Sequence, residues 1–272
     1  MNADSLKNQN TSELFQTLLQ VMQKLRGPSG CPWDKKQSHH SLIPYLVEEC
    51  YELIAALETG NPQAIREELG DVLLQIIFHN QIAEEEKSLT MNDILRGLIQ
   101  KLLRRHPHVF ANDKVEDAET AIANWEKIKL EEKKSGESLL SGIPLQLPAL
   151  LRAYRLGAKV SRVGFDWKHF EEVLAKVEEE LLELHQEIKK QDVEKTEEEF
   201  GDLLFSLAQC ARFLHINPEE ALRKSSLKFQ KRFEWMEAKL CEEKRRITEA
   251  SPEELEALWK QAKSSTGFVK KL

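Results

Sequence analysis

Apolar side chains recur along this chain at three- and four-residue steps, and each such run ends at a short cluster of glycine, proline, asparagine or serine. Leu14, Leu18, Val21 and Leu25 form one stripe over residues 11–26, which predicts an amphipathic first helix. Breakers crowd the segment from Gly27 to Asp34, whose Trp33 is either a pocket wall or a core plug, the spacing favouring the plug. Next come Leu46, Leu53, Ile54 and Leu57, then Thr59-Gly60-Asn61-Pro62, then Ile65, Leu69, Val72, Leu73 and Ile76. Helical periodicity on both sides of a turn predicts a helical hairpin over about 43–86. A helix over 91–105, a shorter one carrying Trp125, a helix over 148–160 and a second hairpin over 170–214 complete the pattern. No segment alternates with a period of two, so the fold class is all-α.

The order of parts repeats. Helix, tryptophan-bearing loop (Trp33, then Trp167), acidic hairpin and basic helix appear twice, which is the mark of an internal duplication. The run from Lys133 to Pro148 separates the copies. The expected organisation is a helical repeat at 1–135, a linker at 136–147 and a second repeat at 148–272, each a hairpin built like part of a four-helix bundle.

Carboxylates give the hairpins their chemistry. The first carries Glu48-Glu49-x-x-Glu52 and, after fifteen intervening residues, Glu68-x-x-Asp71; the second carries Glu179-Glu180-x-x-Glu183 and, after the same gap, Glu199-x-x-Asp202. Every matched acid is displaced by 131 positions. In an antiparallel hairpin the residue numbers of facing pairs share one sum, and Glu52/Glu68 and Glu49/Asp71 obey this, as do Glu183/Glu199 and Glu180/Asp202. Acids three apart lie on one helix face about 4.5 Å apart along the axis. Each hairpin is therefore expected to hold a rectangle of four carboxylates. Two carboxylates at about 5 Å repel by roughly 3 kcal/mol at an effective dielectric near 20, so the cluster calls for raised pKa values or a cation. All-oxygen donors suit Mg²⁺, with Mn²⁺ as substitute, rather than Zn²⁺. A single acidic helix face is usually only solvated; the repetition of the register is what favours a metal site.

Two further pairs recur after each hairpin. Lys101 and Arg105 are matched by Lys228 and Arg232, and Trp125 and Lys129 by Trp259 and Lys263, each pair at i, i+4. Their displacements, 127 and 134 residues, imply short insertions in the intervening loops. Acids that hold a cation beside a Lys/Arg pair suit a substrate rich in phosphate oxygens, and an indole offers a flat surface to a base or ribose. The sum is a pocket for a nucleoside polyphosphate.

Composition narrows the partners. With 39 Lys+Arg against 46 Asp+Glu the 272-residue chain carries a net charge of −7, which disfavours stable nucleic-acid binding. No apolar run approaches the roughly 20 residues of a membrane span, and the N-terminus lacks a signal-type apolar core. Cys31, Cys50, Cys210 and Cys241 form no C-x-x-C pair, so a reducing, cytoplasmic compartment is expected, with Cys50 and Cys210 acting as small hydrophobes. A di-iron bundle requires Glu-x-x-His, and no histidine here stands three residues after a glutamate. The eight histidines read as surface or loop residues, with His106 and His108 placed to touch phosphate. The remaining rival is a non-catalytic helical module whose acids bind structural cations.

The acid signature resembles that of the all-helical nucleoside triphosphate pyrophosphohydrolases of the MazG family. Gly30-Cys31-Pro32-Trp33-Asp34, Glu67-Glu68-Leu69-Gly70-Asp71, Arg104-Arg105-His106-Pro107-His108-Val109-Phe110, Gly142-Ile143-Pro144 and Gly164-Phe165-Asp166-Trp167 all resemble the family's two-repeat members. The resemblance implies Mg²⁺-dependent hydrolysis of a nucleoside triphosphate, ATP included, to the monophosphate and pyrophosphate. It also implies broad specificity, a role in nucleotide house-cleaning or stress-linked control, and a homodimer. By the same resemblance Glu180, Glu183, Glu199 and Asp202 are the expected metal ligands, Lys228 and Arg232 the phosphate binders, and Trp259 and Lys263 the nucleotide contacts, while Glu179 is the candidate base for the attacking water. The second repeat is ranked first. Glu49, Glu52, Glu68, Asp71, Lys101, Arg105, Trp125 and Lys129 form a possible second site.

Overall fold

The computed structural model describes residues 9–111, 115, 117–132 and 136–265, all of whose regular structure is helical. The chain divides into two compact units, Met1–Glu132 and Lys133–Leu272. Residues 136–147, read from sequence as a linker, group with the second unit, where the Ser141 carbonyl accepts a hydrogen bond from Lys159.

The first unit contains α1 (Thr11–Arg26), α2 (Pro32–Lys36), α3 (Ile43–Thr59), α4 (Pro62–Glu85), α5 (Met91–Arg105), α6 (Pro107–Phe110) and α7 (Ala118–Glu131). Asn10 starts α1 with a capping box closed by Glu13, and Thr90 does the same for α5 with Asp93. The α3–α4 hairpin turns at Gly60, which takes a left-handed φ of 64°, and Asn61, whose side chain accepts from the Gln63 amide. Met22, Leu42, Ile77, Phe78, Ile82 and Met91 form the core, where α1 lies on the C-terminal half of α4. Buried Arg26 pins the loop around Trp33, donating to the carbonyls of Asp34 and Gln37 and to Glu85.

Trp33 itself is 49% exposed and touches Tyr45 and Phe78 only by edge contacts, so it is not the core plug its spacing suggested. His79 also departs from expectation: it lies within α4, partly buried, with its Nδ1 2.8 Å from that of His39 and the two rings stacked. Cys50 is exposed on α3, whereas Cys210 is half-buried.

The second unit contains α8 (Ala149–Val160), α9 (Phe170–Lys190), α10 (Val193–Phe213), α11 (Pro218–Glu242) and α12 (Pro252–Ser265). Helices α9 and α10 form the hairpin, α8 packs on α10 and α11, and α12 packs on α11. The turn falls 131 residues after its counterpart, at Gln191 (φ 59°) and Asp192, which caps α10. Gln209, 1% exposed, donates to the Ala153 carbonyl and accepts from Arg212, which in turn binds Asp166. Gly157 admits this network: a Cβ there would stand 1.6 Å from the Gln209 side chain.

Candidate active site

Both hairpins gather acids, and the geometry refines the expected rectangle. In the first unit carboxylate oxygens of Glu49, Glu68 and Asp71 lie within 4.8 Å of one another; in the second, those of Glu180, Glu199 and Asp202 do so. Each cluster is thus a triangle, with Glu52 or Glu183 beside it rather than in it. The fourth acid remains an electrostatic neighbour. After burial, the largest influence on Glu68 is Glu52 and that on Glu199 is Glu183, while Glu49 feels Asp71 most. These are the facing pairs that an antiparallel register dictates.

Crowding leaves its signature on protonation. Burial, then like charge, pushes the carboxyls of Glu49, Glu68 and Glu199 above their ordinary value. Glu68 Oε2 is buried and has no hydrogen-bond partner. An all-oxygen donor set of this kind, with a lone pair left unpaired, fits a hard divalent cation.

Two residues that the sequence reading passed over reach these acids. In the first unit Gln75, one turn beyond Asp71 on α4, approaches Glu49 and partly offsets the upward push on its carboxyl. In the second, Lys176 on α9 places its Nζ 2.7 Å from Glu180 and 2.9 Å from Glu179. Their i, i+4 spacing from an acid was the available signal. Glu180 is buried, whereas Glu179, the candidate base, is exposed.

The later pairs merge into one cluster in each unit. The Trp125 ring lies under the Arg105 guanidinium at 5.4 Å and the Lys129 ammonium at 4.8 Å. Trp259 is approached in the same way by Arg232 and Lys263, both at 5.8 Å, and by the Phe229 ring at 5.1 Å. Lys101 and Lys228 stand exposed on the neighbouring turns of α5 and α11. The two clusters differ in one respect. Arg105, together with Arg104, is tied to Glu132, whose carboxyl is held down at about 2 by Arg105 first of all. Arg232, by contrast, keeps a buried Nε with no hydrogen-bond partner. Among the described residues no ion pair joins either basic cluster to the acids of its own unit.

A cavity of about 640 Å³ opens in the second unit, lined by Leu156, Val160, Phe165, Trp167, Phe205 and Gln209 among others. Phe205 is three residues beyond Asp202 on α10, hence about 4.5 Å along the axis.

An all-helical chain whose two halves each build a carboxylate triangle on a hairpin and a tryptophan-centred basic cluster defines a class: duplicated helical proteins with paired acidic sites. Comparison with known proteins makes it specific. The family model for the MazG nucleotide pyrophosphohydrolase domain matches twice, at residues 37–110 and 168–236. Over 92% of its length the chain is 48% identical to the nucleoside triphosphate pyrophosphohydrolase/pyrophosphatase MazG of Thermotoga maritima, covering 96% of that protein. It is 42% identical over 90% of its length to the nucleoside triphosphate pyrophosphohydrolase of Escherichia coli K12, covering 95% of it, and 45% identical to YabN of Bacillus subtilis, covering 52% of it. The chain belongs to the MazG nucleotide pyrophosphohydrolase family.

Proposed function

We propose that this chain is a divalent-metal-dependent nucleoside triphosphate pyrophosphohydrolase, converting a nucleoside triphosphate and water to the monophosphate and pyrophosphate. The observation that carries the reading is the carboxylate triangle, built at one register in both units. Glu180, Glu199 and Asp202, with Glu183 beside them, would hold Mg²⁺ or Mn²⁺; Glu49, Glu68 and Asp71, with Glu52, would do so in the first unit. Bound there, the ion supplies a Lewis acid for phosphate oxygens and for water. Glu179 accepts the proton of the attacking water and, being exposed, returns it to solvent. Lys228 and Arg232 neutralise the phosphate oxygens, and among the described residues no carboxylate ties Arg232 as Glu132 ties Arg105, which favours the second unit as the principal site.

Trp259 and Lys263 present a surface for base and ribose. The cavity at Trp167 and Phe205 supports a second placement of the base, because Phe205 in its lining stands three residues beyond Asp202 on the same helix. Exposed apolar stripes on both hairpins support a homodimer in which two copies complete each bundle. No helix among the described residues is long and apolar enough to cross a membrane, and with the free cysteines this supports a cytoplasmic enzyme of the nucleotide pool, broad in specificity, engaged in house-cleaning or stress-linked control. The net charge of −7 supports small nucleotides rather than nucleic acid as partners.

The test is direct: the purified chain with Mg²⁺ and ATP, dUTP or dCTP is expected to release pyrophosphate and the monophosphate in equal amounts. Absence of turnover with any triphosphate would leave a cation-binding helical module instead.

A further inference from the structure

The two acid triangles are built alike but neutralised differently. In the second unit the Lys176 ammonium sits between Glu180 and Glu179, at 2.7 Å and 2.9 Å; Glu180 is only 6% exposed, while the Lys176 side chain reaches it from a half-exposed position. A second ammonium, on Lys190, pairs with Glu187 and is also held up by the field of Glu199. Moving back by the repeat displacement, the corresponding residues of the first unit are Tyr45 and Thr59. Neither carries charge. Among the described residues no cation pairs with Glu49, Glu52, Glu68 or Asp71; Glu49 is approached by the neutral amide of Gln75, and Glu68 Oε2 is left buried and bare.

A divalent ion entering the second unit must therefore displace an ammonium from its best-buried ligand, whereas one entering the first unit displaces nothing charged. We propose that Lys176 is a built-in counter-ion competing with the divalent cation for Glu180, so that the first unit binds its ion more tightly than the second does. The proposal rests on the reading of both triangles as metal sites. Its consequence is a division of labour: the first unit keeps its ion at concentrations that leave the second empty, and the second loads together with a polyphosphate that arrives carrying its own cation. Partners of ligating groups commonly shift metal affinity by about 10–100-fold, which sets the size of the expected effect.

The experiment is a titration of the full chain with Mn²⁺ in the absence of nucleotide, reading unbound Mn²⁺ by electron paramagnetic resonance. Two classes of site are expected, differing by about tenfold or more. Glu68→Gln should remove the tight class and Glu199→Gln the weak one. Lys176→Met should tighten the weak class by about tenfold or more, and Tyr45→Lys should weaken the tight class, with helix content by circular dichroism unchanged in both. A weak class that Lys176→Met leaves unmoved, a single affinity in the parent chain, or a tight class lost in Glu199→Gln would each overturn the counter-ion role while leaving the metal sites standing. Failure to bind Mn²⁺ at any site would remove the proposal together with the reading beneath it.

Discussion

Glu199 concentrates what the acids do. It faces Glu183 across the hairpin, shares the triangle with Glu180 and Asp202, and holds its proton more firmly than an ordinary glutamate because of burial first and its neighbours second. A carboxyl whose folded pKa is raised stabilises the fold fully below its ordinary value of 4.5 and loses that contribution as pH climbs through the folded value. The metal-free protein should accordingly lose stability as pH rises from 4.5 through the raised folded value, and Glu199→Gln should blunt the loss. Because a cation replaces the missing protons, Mg²⁺ should raise the melting temperature more near pH 7 than near pH 5; an equal rise at both would speak against a cation in the acids. The same substitution removes a proposed ligand without changing its shape, so turnover should fall by about 100-fold or more with the helices intact. Retained pyrophosphate release would move the principal site to the first unit. For the base, Trp167→Ala and Trp259→Ala separate the two placements, since whichever indole holds it should raise KM upon removal. At this scale the acids were legible because helical spacing and a shared residue sum fix their facing partners. Lys176 and Gln75 were not: i, i+4 partners are common on any helix, and only the burial of Glu180 and the approach of Gln75 to Glu49 give them weight.

The helical elements are defined mainly by how they end. Both hairpin turns place a left-handed residue before a capping side chain, but the first uses Gly60 and the second Gln191. A side chain at positive φ costs roughly 1 kcal/mol that glycine avoids. Gln191→Gly should therefore stabilise the second unit by about 0.5–1 kcal/mol in denaturant unfolding, and Gly60→Ala should destabilise the first by a similar amount. Gly157 is a different case, set by packing: its missing Cβ makes room for the Gln209 network, and Gly157→Ala should cost about 1–3 kcal/mol. Breakers and periodicity made both hairpins readable from sequence. The basic clusters were only half readable, because the i, i+4 pairs announce themselves while the meeting of α5 with α7 and of α11 with α12 around a tryptophan joins segments far apart in the chain. Trp33 was misread for a related reason: spacing gives its face, but not how much protein lies against that face.

For the molecule as a whole, the apolar surface left open is the dominant feature. Leu69, Leu73 and Ile76 on α4 are exposed, and so, at the same displacement of 131 residues, are Phe200, Leu204 and Leu207 on α10. Each trio follows i, i+4, i+7, which is a helix face made to pack, and a continuous apolar stripe rarely faces water in a monomer. Acids on one face of a hairpin and an apolar stripe on another match a chain that completes its bundles with a second copy. Phe200, 53% exposed, is the most open of the second stripe and should lie near the centre of such an interface. Replacing a buried interface aromatic by a charge generally weakens association by about 2 kcal/mol or more. Light scattering should then find the parent chain at twice 31.4 kDa and Phe200→Glu shifted toward 31.4 kDa at low micromolar concentration. If acids and bases from different copies must meet to bind a triphosphate, turnover per chain in Phe200→Glu should fall with dilution in step with the loss of dimer and recover as concentration rises. A variant that is monomeric yet fully active at every concentration would show that one chain builds the whole site alone, and a parent chain that is itself monomeric would require something else to cover the stripes.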